Sequence, residues 1–221
     1  MTNFTESVPI EEYRPGLESE YIHSWSEDVV HKLEESFANV VKYAAVHTDK
    51  DSRESFIEST RKTPSRAANA LSFLTSGYKM TADEVINGAL FDAQGNDELI
   101  IVKDIEFFSL CEHHLLPFMG QVHVGYIPYD KIIGLSKIPR VVDMYSRRLQ
   151  IQERLTSEIC DCLTKALNAS ACGVVVEAKH LCCSSRGVMK QNAYMKTSAL
   201  RGYFKSDESA RSEFMQLVAK G

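Results

Sequence analysis

The chain has 221 residues and a mass of 24.9 kDa, which is long enough for one substantial hydrophobic core with a smaller appendage. Its formal net charge of −5 and pI near 5.8 argue against a nucleic-acid-binding surface, which normally presents a basic face. No apolar run reaches the roughly 18 residues that span a bilayer, and the polar, acidic N-terminus is unlike a secretory or mitochondrial leader. We therefore expect a cytoplasmic protein that binds neither nucleic acid nor membrane.

The first half of the chain is predicted to be helical. Residues 1–26 contain two prolines and lack apolar periodicity, which predicts a flexible arm. Apolar residues at three- and four-residue spacing then predict helices over residues 28–47, 67–78 and 81–90, with a polar link over 48–54. Ser65 is a candidate N-cap and Gly77 a candidate stop for the second helix.

The second half alternates between strand and helix patterns. β-Branched runs and period-two spacing predict strands over residues 97–110, 121–128, 172–183 and 193–204. Helical spacing predicts helices over residues 134–149, 150–170 and 207–220. This order predicts an α+β fold, with helices on one face of an antiparallel sheet.

We accordingly expect three parts. These are a flexible N-terminal arm over residues 1–26, a helical N-terminal extension over residues 27–90 and a catalytic domain over residues 91–221.

One short stretch concentrates reactive side chains. Cys111 and His114 have the two-residue gap that lets side chains converge on one ion, and a thiolate with an imidazole favours zinc. A third ligand could come from the segment "KHLCC", which contains His180, Cys182 and Cys183. Three protein ligands would leave an open, catalytic position, whereas a fourth would close the site; a core cluster without metal remains an alternative. Strand alternation predicts that Cys182 shares the face of His180 and that Cys183 points the other way.

The other three cysteines, Cys160, Cys162 and Cys172, are predicted to be core or surface thiols rather than disulfides, because we expect a reducing compartment.

Two cations stand where an anion could bind. Ser136 occupies the N-cap position of a predicted helix, and Lys137 and Arg140 fall in its first turn, where they oppose the helix dipole. That arrangement favours a bound anion. Arg186 and Arg66 could add positive charge, although each taken alone is more often a solvated surface arginine.

Gln152 and Glu153 open the next predicted helix. Glu153 could accept two parallel hydrogen bonds from an amidine-like edge such as that of guanine. It could also be an ordinary acid in a first helical turn.

Three motifs in order, "CEHHLLPFMGQVHVGYIP", "GLSKIPRVVDMYSRRLQIQERLT" and "VVVEAKHLCCSSRGV", resemble the GTP cyclohydrolase I family. The similarity is dense from about residue 63 to 204. It implies a T-fold (tunnelling fold), a toroidal homodecamer with active sites at subunit interfaces, and conversion of GTP and water to 7,8-dihydroneopterin triphosphate and formate. That reaction begins pterin biosynthesis, towards folate or tetrahydrobiopterin, and a regulatory partner protein is a further implication.

The resemblance also implies a role for each matching residue. Zn2+ would be bound by Cys111, His114 and Cys182. Protons would be moved by His113 and His180. The guanine edge would be held by Glu153, assisted by Gln152. The triphosphate would be bound by Ser136, Lys137, Arg140 and Arg186, with Arg66 reaching the site of an adjacent subunit.

Some positions depart from the family pattern or stay open. Cys183 stands where the family usually has methionine, and Met195 replaces the first threonine of a TxT pattern. These departures keep an alternative function in view, a catalytically silent subunit that binds zinc and nucleotide and assembles with an active paralogue. Glu112 could orient a neighbouring histidine or be purely structural, and His123 is expected to pack within a strand.

Overall fold

The computed structural model describes residues 25–219 and divides the chain into two compact units, residues 1–76 and 77–221. Most of the predicted arm therefore lies outside the described residues, and the predicted domain boundaries stay predictions. No helix in the described range is long and apolar enough to cross a bilayer.

The described part of the first unit, residues 25–76, contains three α-helices: α1 (Glu27–Val46), α2 (Arg53–Ser59) and α3 (Thr63–Leu74). The predictions of α1 and α3 are confirmed. However, α3 begins before Ser65, because Pro64 is compatible with a first helical turn, where its missing N–H is not needed. The expected cap at Ser65 is therefore wrong. Spacing did not reveal α2 because none of its residues is buried.

The first unit is held by packing of α1 against α3 and by Trp25. The Trp25 indole N–H donates to Thr75 Oγ1 at 2.8 Å, and its backbone N–H donates to Ser72 Oγ at 3.0 Å. Both acceptors are buried hydroxyls at the end of α3. These bonds tie the start of α1 to the end of α3.

The second unit is built on a five-stranded sheet in the order β5-β2-β3-β6-β7, with a separate two-stranded ribbon of β1 and β4. All pairs are antiparallel except β2 with β5. The strands are β1 (Leu90–Asp92), β2 (Ile100–Cys111), β3 (Pro117–Ile127), β4 (Lys131–Ile133), β5 (Leu149–Gln150), β6 (Ala171–His180) and β7 (Met195–Gly202). The predicted α+β class is confirmed.

Helices cover both faces of this sheet. The helices are α4 (Ala82–Ile86), α5 (Lys137–Ser146), α6 (Gln152–Leu167), α7 (Leu181–Ser184), α8 (Tyr203–Ser206) and α9 (Glu208–Ala219). The main core lies against one face of the sheet. Buried residues of α5 and α6, including Leu155, pack there with strand residues that include Val122 and Val174. A smaller cluster on alternate strand positions contains Val175 and Phe214 of α9. The prediction of helices on one face is therefore incomplete.

Glycine explains how α9 docks on the second face. The Phe214 ring lies over Gly125 and Gly173, where an added Cβ would come within 2.6 and 2.7 Å of ring carbons. Only a residue without a side chain leaves that space. The sequence pattern of β3 and β6 showed strands but gave no sign of this aromatic contact.

His123 belongs to the framework of the sheet, as expected. It is buried, and its Nδ1 accepts the backbone N–H of Asp104 at 3.1 Å, at a bulge in β2 where Asp104 has φ +58°. Burial lowers the pKa of His123, with the Asp104 charge opposing that shift. A neutral imidazole thus satisfies the backbone of the bulge.

Replacing Phe214 with alanine should destabilise the fold strongly. The ring is fully buried, and removing such a ring costs about 3–5 kcal/mol through lost burial and a residual cavity. The matched control is Glu213→Ala, one residue earlier on the exposed side of α9. Denaturant unfolding should show a large loss for Phe214→Ala only; equal losses would contradict the packing role.

Candidate functional site

Strand pairing brings three distant segments to one end of the sheet. Cys111 at the end of β2 pairs with Gln150 of β5, which leads directly into α6. Phe118 near the start of β3 pairs with His180 at the end of β6. The loop 112–116, the start of α6 and the α7 turn are therefore neighbours.

The CEHH stretch forms the tight connection between β2 and β3. The Leu115 N–H donates to the Cys111 carbonyl at 2.8 Å, and the Cys111 N–H donates to the Leu116 carbonyl at 2.9 Å. Leu115 has φ +53°, a left-handed conformation that lets the chain reverse here. This folded loop leaves Cys111 buried at its base and both histidines exposed.

Cys111, His114 and Cys182 form a group that could hold a metal ion, with their ligand atoms within 4.8 Å of one another. The Cys111 Sγ to His114 Nδ1 distance is 3.7 Å. Ligand atoms around tetrahedral zinc lie roughly 3.5–3.8 Å apart, given bond lengths of about 2.0–2.3 Å. Two thiols and one imidazole are soft donors that suit zinc, so the residues fit the predicted ion after a small closure.

His113 lies beside this group without being a member of it. Its Nδ1 is 3.8 Å from Cys111 Sγ, nearly as close as that of His114. Among the described residues, however, only His114 joins both cysteines in a three-ligand cluster. The arrangement favours the predicted division between His114 as a ligand and His113 as a free imidazole.

Cys182 and Cys183 lie on the short helix α7, not on a strand. β6 ends at His180, so the predicted strand alternation does not apply to them. Cys183 is exposed, and Cys182 is partly buried. Burial raises the pKa of Cys182 to about 11, and hydrogen bonding to the Cys183 and Cys111 thiols adds to that rise. Crowded thiols of this kind would be stabilised as thiolates by a bound cation.

Glu112 is held by an arginine that sequence reasoning missed. Arg154 donates to Glu112 Oε2 at 2.5 Å, to Gln150 Oε1 at 2.9 Å and to the Leu149 carbonyl at 3.0 Å. The other Glu112 oxygen, Oε1, is 3.8 Å from His113 Nε2. Hydrogen bonding from Arg154 lowers the pKa of Glu112, so this carboxylate can face His113 as an anion.

His180 sits between an aromatic ring and an amide. Its ring stacks on Phe118 with centroids 4.6 Å apart and an interplanar angle of 2°. Its Nε2 lies 2.8 Å from Gln152 Oε1. Burial lowers the pKa of His180, and the negative charge of Glu153 partly opposes that shift. Glu153 itself is exposed at the first turn of α6.

Among the described residues, the contacts that assemble the metal group do not include the residues predicted to bind an anion. Ser136 is the N-cap residue of α5 but makes no side-chain capping bond, and Lys137 is buried with its Nζ donating to the Val85 carbonyl at 3.1 Å. Arg140 and Arg186 are exposed. Arg66 is exposed on α3 of the first unit.

Comparison with known proteins agrees with the geometry of this site. A sequence profile described as GTP cyclohydrolase I matches residues 37–219. The chain belongs to the GTP cyclohydrolase I family. It is 56% identical over 156 residues to GTP cyclohydrolase 1 of Teredinibacter turnerae, covering 71% of this chain and 84% of that one.

Other relatives in the family are similarly close. Identity to GTP cyclohydrolase 1 of Methylococcus capsulatus is 55% over 169 residues, covering 76% of this chain and 89% of the relative. For the Gloeobacter violaceus protein of that name, identity is 52% over 157 residues, covering 71% and 73%. A solved apo structure of the archaeosine synthase QueF-Like aligns with 47% of this chain and 93% of its own, at 21% identity and a TM-score of 0.38.

Cys182→Ser should abolish stoichiometric binding of zinc, because it removes one of the three ligands clustered within the described range 25–219. Cys183→Ser is the matched control, since it changes the neighbouring thiol outside that cluster. Both variants are dialysed against zinc and then against buffer. Their zinc content, measured by elemental mass spectrometry, should then distinguish Cys182→Ser from Cys183→Ser. Equal metal loss in both variants would mean that Cys183 is a ligand.

Arg154→Gln should raise the pKa of Glu112 towards its ordinary value, because it removes the main hydrogen bond to the ionised carboxylate. Carboxyl 13C NMR of labelled glutamate, followed against pH, measures this shift, and Glu112→Gln identifies the signal. Arg201→Gln, which breaks the separate ion pair with Asp161, should leave the Glu112 pKa unchanged. An unchanged Glu112 pKa in Arg154→Gln would exclude the ion pair in solution.

Proposed function

We propose that this protein converts GTP and water to 7,8-dihydroneopterin triphosphate and formate, opening a pterin pathway. Membership of the GTP cyclohydrolase I family supports this activity, and the single observation that carries it is the cluster of Cys111, His114 and Cys182 beside His113 and His180. That cluster combines a site for a Lewis acid with two imidazoles, which is the chemistry that hydrolysis of a purine C–N bond requires.

Zinc is the ion that we assign to Cys111, His114 and Cys182. When bound by three protein ligands, zinc lowers the pKa of water and supplies a nucleophile near neutral pH. The protein contributes position: Cys111 is fixed by strand pairing at the base of the loop, and Cys182 by the turn after β6.

His113 is the residue that we assign to protonation of guanine N7 during ring opening. It is exposed, and its Nε2 faces the Glu112 carboxylate at 3.8 Å. Arg154 holds Glu112 in place, so the Glu112 carboxylate is a fixed negative charge beside His113.

Guanine recognition is assigned to Glu153. Its exposed carboxylate at the start of α6 can accept hydrogen bonds from the N1–H and the exocyclic amine of guanine, two parallel donors that match its two oxygens. The negative charge of Glu153 opposes the fall in the His180 pKa that burial causes, which supports a position for Glu153 near that imidazole. His180 would then assist the proton transfers that follow ring opening.

The triphosphate is assigned to Ser136, Lys137, Arg140 and Arg186, with Arg66 acting at the site of an adjacent subunit. This part of the proposal includes the T-fold and a toroidal homodecamer, in which sites lie between subunits, and it rests on the family resemblance. A cytoplasmic location and a regulatory partner remain predictions.

The decisive test is turnover of GTP by the zinc-loaded protein, read as released formate and as a pterin that fluoresces after oxidation. His113→Ala should retain zinc and lose turnover by at least about 100-fold, the lower end of what general acid–base catalysis contributes. Loss of zinc in His113→Ala would reverse the roles of His113 and His114. Zinc-loaded wild-type protein without turnover would favour a catalytically silent subunit instead.

A further inference from the structure

Gln152 is buried and its amide hydrogens are already used. Only 1% of the residue is exposed, and its Nε2 lies 3.0 Å from the carbonyl oxygens of Val176 and Met195 and 3.2 Å from Thr197 Oγ1, three acceptors for its two hydrogens. Carbonyl oxygens can only accept hydrogen bonds. Rotating the amide by 180° would set Oε1 against two carbonyl oxygens, so the orientation of the amide is fixed.

Two threonines order the protons around this amide. Thr156 Oγ1 donates to the backbone carbonyl of Gln152 at 2.6 Å, and the hydroxyls of Thr156 and Thr197 are 2.6 Å apart. Because the Thr156 proton is used on the carbonyl, Thr197 must be the donor in that second bond. A lone pair of Thr197 is then left to accept from Gln152 Nε2, so the ring of bonds has one consistent direction.

The fixed amide determines which nitrogen of His180 carries a proton. Gln152 Oε1 is an acceptor only, and it meets His180 Nε2 at 2.8 Å, so Nε2 must be protonated. The parallel stack on buried Phe118 holds the plane of the ring, so it stays in line with this bond. In the neutral imidazole the lone pair is therefore on Nδ1.

We propose that Gln152 is a positioning residue that holds the proton on Nε2 of His180, leaving Nδ1 as the atom through which His180 takes and releases protons. The catalytic part of this inference rests on the function proposed above. It replaces the expected contact between Gln152 and guanine, because both amide hydrogens are bound inside the protein. Glu153, the exposed neighbour, is left to recognise the base.

The departure at Met195 is consistent with this role. Gln152 uses only the backbone carbonyl of residue 195, which any side chain would leave in place. The threonine that the ring does need is Thr197, and it is present. The position that differs from the family pattern is therefore the one whose side chain the ring does not use.

The direct test is the tautomer of His180 in the full-length, zinc-loaded protein. Magic-angle-spinning NMR of protein labelled with 15N in histidine distinguishes protonated from unprotonated ring nitrogens, and His180→Gln identifies the signals. We expect a protonated Nε2 and an unprotonated Nδ1 in the neutral ring. A neutral His180 with its proton on Nδ1 would overturn the proposal whatever the variants do.

Gln152→Met removes the amide while keeping a side chain of similar length. We expect both His180 tautomers to be populated and kcat for GTP to fall at least 10-fold, with KM changed less than threefold. If Gln152 held guanine instead, KM would rise and the tautomer would stay as in the wild type, which would overturn the proposal.

Two variants of Thr197 test the same proposal if Gln152→Met fails to fold. Thr197→Ser retains the hydroxyl and should retain both the tautomer and kcat, whereas Thr197→Val removes an acceptor of Gln152 and should shift both in the direction of Gln152→Met. A Thr197→Val protein with the wild-type tautomer and kcat would count against the ring of bonds.

The tautomer readout also separates this inference from the proposed function. A protonated Nε2 without GTP turnover would support the structural assignment and defeat the proposed activity. GTP turnover with the proton of neutral His180 on Nδ1 would support the proposed activity and overturn the assignment of the tautomer.

Discussion

The register of β3 between β2 and β6 is the constraint on which the candidate site depends. It places Phe118 opposite both Ser109 and His180, so the ends of three strands meet at one edge. A slip of one residue would turn every side chain of β3 to the other face, because side chains alternate along a strand. The buried run of β3 against the main core and the Phe214 contact at Gly125 oppose such a slip.

The two histidines outside the metal group are held in different ways. His180 is constrained by a ring stack and by an amide that is itself bound on both sides, all within the buried interface of α6, β6 and β7. His113 is exposed and faces a carboxylate secured by an arginine at the surface. Surface ion pairs contribute little stability and are weakened by salt, whereas a buried, satisfied network is rigid. The site thus combines one fixed imidazole with one that is free to follow a ligand.

Sequence reasoning predicted the features that depend on short spacing. The gap between Cys111 and His114, the four long strands β2, β3, β6 and β7, and the amphipathic helices α1 and α6 all follow from local patterns, and the structure has them. It failed where partners are distant in sequence. Arg154 reaches Glu112 across 42 residues, and Gln152 reaches Thr197 across 45, so neither contact leaves a periodic signal. The prediction of a strand through Cys183 is wrong because β6 ends at His180, and Cys182 lies beyond it in the turn of α7.

The helix α6 explains why adjacent residues can serve different ends. Gln152 and Glu153 occupy consecutive positions in its first turn, and successive helical residues point about 100° apart. One therefore turns into the sheet, where its amide is fully bonded, and the other turns to solvent, where its carboxylate is available. Because both lie beside His180, the same turn that fixes the imidazole from within also presents an acid on its outer side. In the proposed function, base recognition and proton transfer then share one rigid support, so that binding of the base and placement of the imidazole are set by the same backbone.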